Sequence, residues 1–344
     1  MVNWNFIKAD DTLLNLLSIY NTNTLDFSYY FDHKLSKNQF GSVFWFDGGY
    51  SIDERRVKPT GDYMYPKISP NKYNISENQG YWDNIRDNTK DNYIALRQSS
   101  QGYNLLDSKY KIIWSYANTQ NFHFVDIPVI WARNQFNAIG SDNKQEILYL
   151  FGLLNSALNK TVLTKIFKVE NEDTLTIAIG LKAIKHSIRI PKITSENQFI
   201  KDEIIKTTEQ MLDLEKVTLR DVVNFNGVQM QQFNSVSVVG NNLVLDSMRL
   251  NIPENYIVSV RDALQNKYFD KKGNPLLTEI RLSELKSLPV IDFEYQATLK
   301  NYIDDLVFAL YFNVPITRVG IKYAAEIKQR CKSNEFYEYI NTQK

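Results

Sequence analysis

The strongest constraint on what this chain can fold into lies in residues 144–168. Ile147, Leu148, Leu150, Phe151, Leu154, Leu158, Val162 and Ile166 recur there at helical spacing. A helix apolar over so wide an arc is stable only when it is buried, so the rest of the chain has to surround it. The preceding sequence has the character of strands. Residues 40–46 are aromatic and β-branched and run into Gly48-Gly49, the composition of a strand ending in a turn. Further strands are expected at 93–98, 110–117, 122–126 and 129–132. Residues 50–81 carry Pro59, Pro66 and Pro70 among many Asn and Ser residues, which reads as irregular loop. A short leading helix is expected through Leu13, Leu14, Leu16, Leu17 and Tyr20, with Asp10 or Asp11 as its cap.

Helical period returns after the buried stripe. Ile204, Ile205, Met211, Leu212 and Leu214 make one side of a helix over 200–216, and Ser195 with Gln198 has the form of a capping box. Strands are expected at 222–225, 235–239 and 243–245, the last two joined through Gly240-Asn241-Asn242 as a hairpin. A helix from about Glu294 places Leu299, Ile303, Leu306, Val307, Leu310 and Tyr311 on one face, and a final helix over 316–340 follows Pro315. The expected fold class is α+β: a β-rich region with long loops over 1–140, a helical part over 141–216, and a mixed α/β region over 217–344 that ends in helices.

The 344 residues suffice for about two domains. Forty Lys and Arg against thirty-nine Asp and Glu leave a formal charge of +1, which excludes a polybasic arm and an acidic tail but not a local basic face. The single cysteine, Cys331, excludes an internal disulfide and a cysteine zinc site. No apolar run reaches the roughly 18 residues of a membrane span, and Met1-Val2-Asn3-Trp4-Asn5 lacks the form of a signal peptide. A cytoplasmic protein without membrane association is expected. Aromatic residues make up 13% of the chain, and their main expected role is sheet packing, with stacking on a ligand as the second.

Catalytic patterns are missing. His33, His123 and His186 share no metal-ligand spacing, and His123 between Phe122 and Phe124 reads as a hydrogen-bonded strand residue. The phosphate-binding glycine patterns and the G-x-S-x-G elbow do not occur. No Pro-Pro dipeptide is present to build the adenine pocket of an amino-methyltransferase. Asp292 and Glu294 are placed to start a helix, where acids suit the dipole, and Cys331 in a Lys- and Arg-bearing helix reads as incidental. The chain is therefore expected to hold no catalytic residue, metal or cofactor, and to be a recognition module before an enzyme.

Local charge is more informative than net charge. Lys182, Lys185 and Arg189 lie in an acid-free stretch, Lys67 and Lys72 flank a loop, and Arg55, Arg56 and Lys58 follow the glycine turn. Arg97 and Lys109 bracket another loop. Such cations bind phosphates, whereas base edges are read by amides and guanidinium groups; Gln98, Asn118 and Asn137 are among the loop amides expected to face a ligand. Arg55, Arg56, Lys58, Lys67, Lys72, Arg97, Gln98, Lys109, Asn118, Lys182, Lys185 and Arg189 are the expected DNA contacts. Asn155 is expected to serve helix packing, and Asp304 and Asp305 to face solvent or a partner.

Several segments in order carry a family resemblance. Lys111-Ile112-Ile113-Trp114 runs on through Phe122 and Asp126. Leu150-Phe151-Gly152-Leu153-Leu154-Asn155-Ser156 and Ile188-Arg189-Ile190-Pro191 come next, then the 200–216 helix, and Ile303-Asp304-Asp305-Leu306-Val307 through Tyr311 closes the set. Together they resemble the TaqI-like C-terminal specificity domain, the target-recognition domain of type IIG restriction-modification enzymes and related adenine-specific DNA methyltransferases. Trp4-Asn5-Phe6 before a leucine-rich helix resembles the junction with the methyltransferase domain. The resemblance implies that the β-rich loops lie along double-stranded DNA and read a short sequence. It implies a partner adenine methyltransferase or endonuclease, with S-adenosylmethionine and Mg2+ belonging to that partner and base flipping its task. After Tyr311 the family's glycine-leucine-threonine ending is replaced by Phe312-Asn313-Val314. The expected role is a separate specificity subunit, or the C-terminal part of a longer enzyme, in restriction-modification or phage defence. A protein-interaction module that binds no nucleic acid and an unrecognised metal-dependent nuclease are the alternatives.

Overall fold

The computed structural model describes residues 18–27, 45–47, 64–68, 93–95, 108–115, 122–126, 130–131, 136–160 and 188–313. The architecture is α+β, built from small, mostly antiparallel sheets and several helices. The chain divides into two compact units, Met1–Thr208 with Asn301–Lys344, and Glu209–Lys300.

The first unit contains β1 (Thr24–Asp26), β2 (Trp45–Asp47), β3 (Met64–Ile68), β4 (Tyr93–Ala95), β5 (Tyr110–Ser115), β6 (His123–Val125), β7 (Ile130–Trp131) and β8 (Phe136–Ser141). It continues with α1 (Lys144–Asn155), β9 (Arg189–Pro191) and the start of α2 (Gln198–Leu214). Strands β2-β8-β5-β6 form an antiparallel sheet, β4-β3-β7 a second sheet with β3 and β7 parallel, and β1 pairs with β9. Ile112, Ile113 and Trp114 of β5 are fully buried, as a short continuous apolar run requires of a central strand. The ring of Trp114 lies 5.3 Å from that of Phe122, and Phe124 lies 5.9 Å from Phe151 of α1, so the helix is keyed to the sheet by aromatic pairs.

Helix α1 follows the apolar stripe, and its residues Ile147–Leu154 are all buried. Asn143 caps it by accepting from the Glu146 amide. The helix stops earlier than the apolar pattern implies. Ser156 is extended (φ −63°, ψ 151°), its hydroxyl donates to the Leu153 carbonyl at 2.6 Å, and it accepts from the Asn159 amide at 3.3 Å. The same side chain thus closes α1 and starts the helical turn over 157–160. Helix α2 begins as the amphipathic pattern predicts, but its cap sits one residue earlier than Ser195. Thr194 Oγ1 accepts from the Glu196 amide, and the Thr194 amide donates to Asn197 Oδ1 at 2.8 Å.

Strand β8 was not legible as a strand. Its Asn137, Gly140 and Ser141 are turn formers, and it exists because both of its edges are paired, with β2 and with β5. Asn137, an expected loop amide, is in fact buried in the sheet.

The second unit takes in the end of α2, then α3 (Leu219–Val222), β10 (Gln232–Phe233), β11 (Val236–Val239), β12 (Asn242–Leu245) and β13 (Met248–Asn251). A 3-10 turn at Glu254–Tyr256 leads to α4 (Ile257–Tyr268), β14 (Ile280–Arg281), α5 (Leu282–Lys286) and the start of α6 (Phe293–Phe312). The hairpin at Gly240 forms as expected, with Val239 opposite Asn242 and Gly240 at φ +61°, and β13 extends it to three strands. Two expectations fail here. Residues 222–225 are not a strand, because the amide and hydroxyl of Thr218 both donate to Asp221 Oδ2, at 2.8 and 2.6 Å, and hold a helical turn. Helix α4 occupies sequence read as strand up to residue 260; Val260, Leu264 and Tyr268 bury its face against a core that includes Leu219, Phe233, Leu243, Leu245 and Leu285. Asp292 caps α6 by accepting from the Tyr295 amide at 2.9 Å, the helix-start role read from the sequence.

Candidate nucleic-acid interface

The resemblance-bearing segments of the first unit are joined by polar contacts between residues far apart in sequence. Asn155 clamps the residue that leads into β6: its Oδ1 accepts from the Phe122 amide at 3.2 Å and its Nδ2 donates to the Phe122 carbonyl at 3.2 Å. The structural role expected of Asn155 holds. Asp304 departs from expectation. It is buried, and its Oδ1 accepts from the Ala157 amide at 2.7 Å, where the chain restarts as a helix after Ser156. Tyr311 is the hub of a second set. Its hydroxyl donates to the Arg189 carbonyl and accepts from Asn159 Nδ2 at 3.0 Å, while its ring stacks on Tyr20 at 5.6 Å. Burial drives the Tyr311 phenol well above its ordinary pKa, so it stays a donor. Asn23 Nδ2 donates to the Leu310 carbonyl at 2.7 Å and the Tyr311 carbonyl at 3.2 Å, satisfying carbonyls that the end of α6 leaves open.

A buried ion pair completes the scaffold. Lys201 of α2 donates to Glu146 of α1, and both side chains are nearly inaccessible. The Lys201 ammonium also lies 4.8 Å from the Tyr149 ring centroid, a cation–π placement. His123 is fully enclosed in β6, and burial, followed by the charge of Lys160, lowers its pKa to about 3. It is a neutral strand residue at ordinary pH. Among the described residues no group of three or more His, Cys, Asp or Glu is arranged to hold a metal, and no helix is long and apolar enough to cross a membrane.

Three of the expected DNA contacts fall on described residues. Lys67 lies in β3, in register with Ile130 of β7. Lys109 is exposed beside β5, and its backbone amide donates to Asp142 Oδ1 at 2.9 Å. Arg189 is half-buried in the β1–β9 ribbon. Its Nη1 pairs with Asp26 at 2.7 Å, and its Nε donates to Thr24 Oγ1 at 2.7 Å. Its guanidinium is engaged in holding the ribbon together. Arg55, Arg56, Lys58, Lys72, Arg97, Gln98, Asn118, Lys182 and Lys185 lie outside the described residues.

The second unit holds polar residues that the sequence reading passed over, in the stretch between α3 and β11 that includes β10. Asn224, Asn226, Gln229, Gln231, Gln232 and Asn234 all face solvent. Their signal in the sequence is the run itself, six Asn and Gln residues within the eleven positions from 224 to 234.

No family model matches the chain, and no curated protein matches it. Solved structures do resemble it. A type IIG restriction endonuclease, BpuSI, is 11% identical with a TM-score of 0.31, over 88% of this chain and 33% of that one. The chain thus spans about a third of the length of that endonuclease. The S subunit of a type I restriction-modification system from M. genitalium is 9% identical over 88% and 96% of the two chains, with a TM-score of 0.28. The HsdS subunit from Thermoanaerobacter tengcongensis is 12% identical over 88% and 98%, also at 0.28. These are distant structural similarities to restriction-modification proteins.

Proposed function

We propose that this chain is a DNA sequence-specificity module or subunit of a type IIG-like restriction-modification or phage-defence system, placing a partner adenine methyltransferase or endonuclease on its site. The observation that supports the reading is the joining of the resemblance-bearing segments. Trp114 and Phe122 of the sheet, Asn155 at the end of α1, Arg189 in β9 and Tyr311 near the end of α6 are linked by specific packing and hydrogen bonds. Residues spread from 114 to 311 thus build one scaffold, as they would in a domain made to hold loops against a long ligand. Asn118 falls between β5 and β6 in sequence, and Arg97 and Gln98 follow β4 after one residue; in this reading they meet DNA. Lys67 and Lys109 supply phosphate contacts in this reading, and the methyl donor and Mg2+ belong to the partner.

The test is binding of the chain to a random duplex pool across a salt series, with and without an adenine methyltransferase partner, followed by sequencing of the retained DNA. Enrichment of one short motif is expected. Each true phosphate contact adds about 0.9 to the slope of log affinity against log salt. No retained DNA at low salt, in either condition, refutes the proposal.

A further inference from the structure

The loop that links α3 to β11 has a composition suited to one kind of ligand. Six carboxamides fall among the eleven residues from Asn224 to Asn234, with no charged residue between them. All six are exposed, and Asn226, Gln229, Gln232 and Asn234 spend their side-chain amides on no hydrogen bond among the described residues. The loop is held in shape from within. Phe225 and Phe233 are buried in the core of the second unit, Gly227 takes φ +86°, and the Val228 amide donates to the Phe225 carbonyl at 3.2 Å. The Leu282 amide donates to the Gln231 carbonyl at 2.9 Å, tying the far end of the loop to the start of α5. Little backbone ordering entropy is left to lose when this loop meets a partner.

Cations stand at both ends. Arg281 is exposed and directly opposite Gln232 in the β10–β14 ladder, and the Lys286 ammonium lies 5.3 Å from the Phe225 ring centroid. Arg281 also lies 3.9 Å from the Glu284 carboxylate, an exposed pair that a phosphate has to displace, whereas two other carboxylates near the loop are turned to protein donors. Asp221 is bonded to Thr218, and these bonds hold its pKa below the ordinary value. Asp246 accepts from the Asn234 and Ser235 amides. Met230 projects from the loop at 51% exposure.

We propose that this loop is a second base-reading element, in the second unit, for A·T-containing duplex DNA. The inference rests on the DNA-recognition reading above and extends it beyond the first unit. A carboxamide donates to and accepts from the N7 and N6 positions of adenine in the major groove, and an apolar side chain such as Met230 meets the thymine methyl beside it. The uncharged loop reads sequence, and Arg281 and Lys286 hold the phosphates on either side.

The experiment uses the full chain on the random duplex pool. Gln229→Ala/Gln232→Ala is compared with wild type for the retained motif, and Arg281→Gln for the salt slope. All three side chains are exposed, and unchanged thermal unfolding verifies that the variants fold. The double variant is expected to lose discrimination at one or two A·T positions by about 5- to 150-fold. Arg281→Gln is expected to lower the salt slope by about 0.9 at an unchanged motif. If wild type enriches a motif and both variants keep the same motif and slope, the inference is overturned and the DNA-recognition reading stands. If wild type retains no duplex DNA, or prefers single-stranded RNA, both fall together.

Discussion

Replacing Gly152 by alanine pits two effects of opposite sign against each other at one position. In an exposed helix the change stabilises by about 1 kcal/mol, since glycine carries the larger entropy loss on folding. Here the new Cβ would stand 2.7 Å from Thr208 Oγ1 and 2.9 Å from Ile204 Cγ2, where α1 crosses α2. Both approaches are well inside van der Waals contact, and Ile204 is fully buried, so the helices have to move apart. Overpacking of this kind costs about 1–3 kcal/mol, and the net expectation is a loss of about 1 kcal/mol. All five tryptophans, Trp4, Trp45, Trp82, Trp114 and Trp131, lie in the first unit and none between residues 209 and 300, so tryptophan fluorescence in a urea titration follows that unit alone. The midpoint is expected to fall at unchanged m-value. In a Thr208→Ala background one of the two clashes is gone, and the cost of Gly152→Ala is expected to shrink measurably. A Gly152→Ala protein as stable as wild type, or more so, refutes the close crossing of α1 and α2.

Three further outcomes follow from the same unit. His123 is neutral in the fold with a pKa of about 3, against 6.5 for a free histidine. Its stabilising contribution is therefore complete above pH 6.5 and is lost on acidification towards pH 3, at up to about 1.4 kcal/mol per pH unit. His123→Gln is expected to flatten the stability curve between pH 6 and 4, and parallel curves for the two proteins would contradict this. Asp304→Asn weakens a charge-assisted acceptor for the Ala157 amide, and a loss of about 1–2 kcal/mol in urea is expected; an unchanged midpoint would mean that the contact contributes nothing. Lys201→Met leaves Glu146 buried without its ammonium and is expected to cost about 3–5 kcal/mol, most of it recovered in Lys201→Met/Glu146→Leu. Additive losses in that double-mutant cycle would show that the two side chains are not coupled.

Local pattern carried much of the first unit's design. The aromatic and β-branched runs at 110–117 and 122–126 contain β5 and β6, and the apolar stripes mark α1, α2 and α6. The capping role of Asp292 and the packing role of Asn155 were also legible, since each follows from residue type and position within one element. What escaped was decided elsewhere. Strand β8 is made by its two partners, and the break at Ser156 depends on a hydroxyl that can turn back on its own helix. Asp304 looked like a surface acid because its acceptor role needs a helix start 147 residues away. Helix α4 carried a usable apolar spacing at Val260, Leu264 and Tyr268, overlooked beneath the β-branched start of its sequence.

The buried polar groups of the first unit form a pattern. Asn155, Asn159, Asp304 and Tyr311 each bind a partner on a different element, and none of these contacts survives a helix sliding by one turn. Apolar surfaces tolerate such slips, because leucine faces at neighbouring turns are nearly equivalent. A polar group that loses its partner in the interior costs about 1–3 kcal/mol, so a slipped α6 would forfeit several such terms at once. The scaffold is thereby held to a single register. A module that reads DNA by proposed amide and guanidinium contacts needs that property more than it needs stability, because hydrogen bonds to base edges tolerate errors of only a few tenths of an ångström. On this view the polar set near the end of α6 and the exposed amides of the Asn224–Asn234 loop answer the same requirement, one inside the fold and the other on its surface.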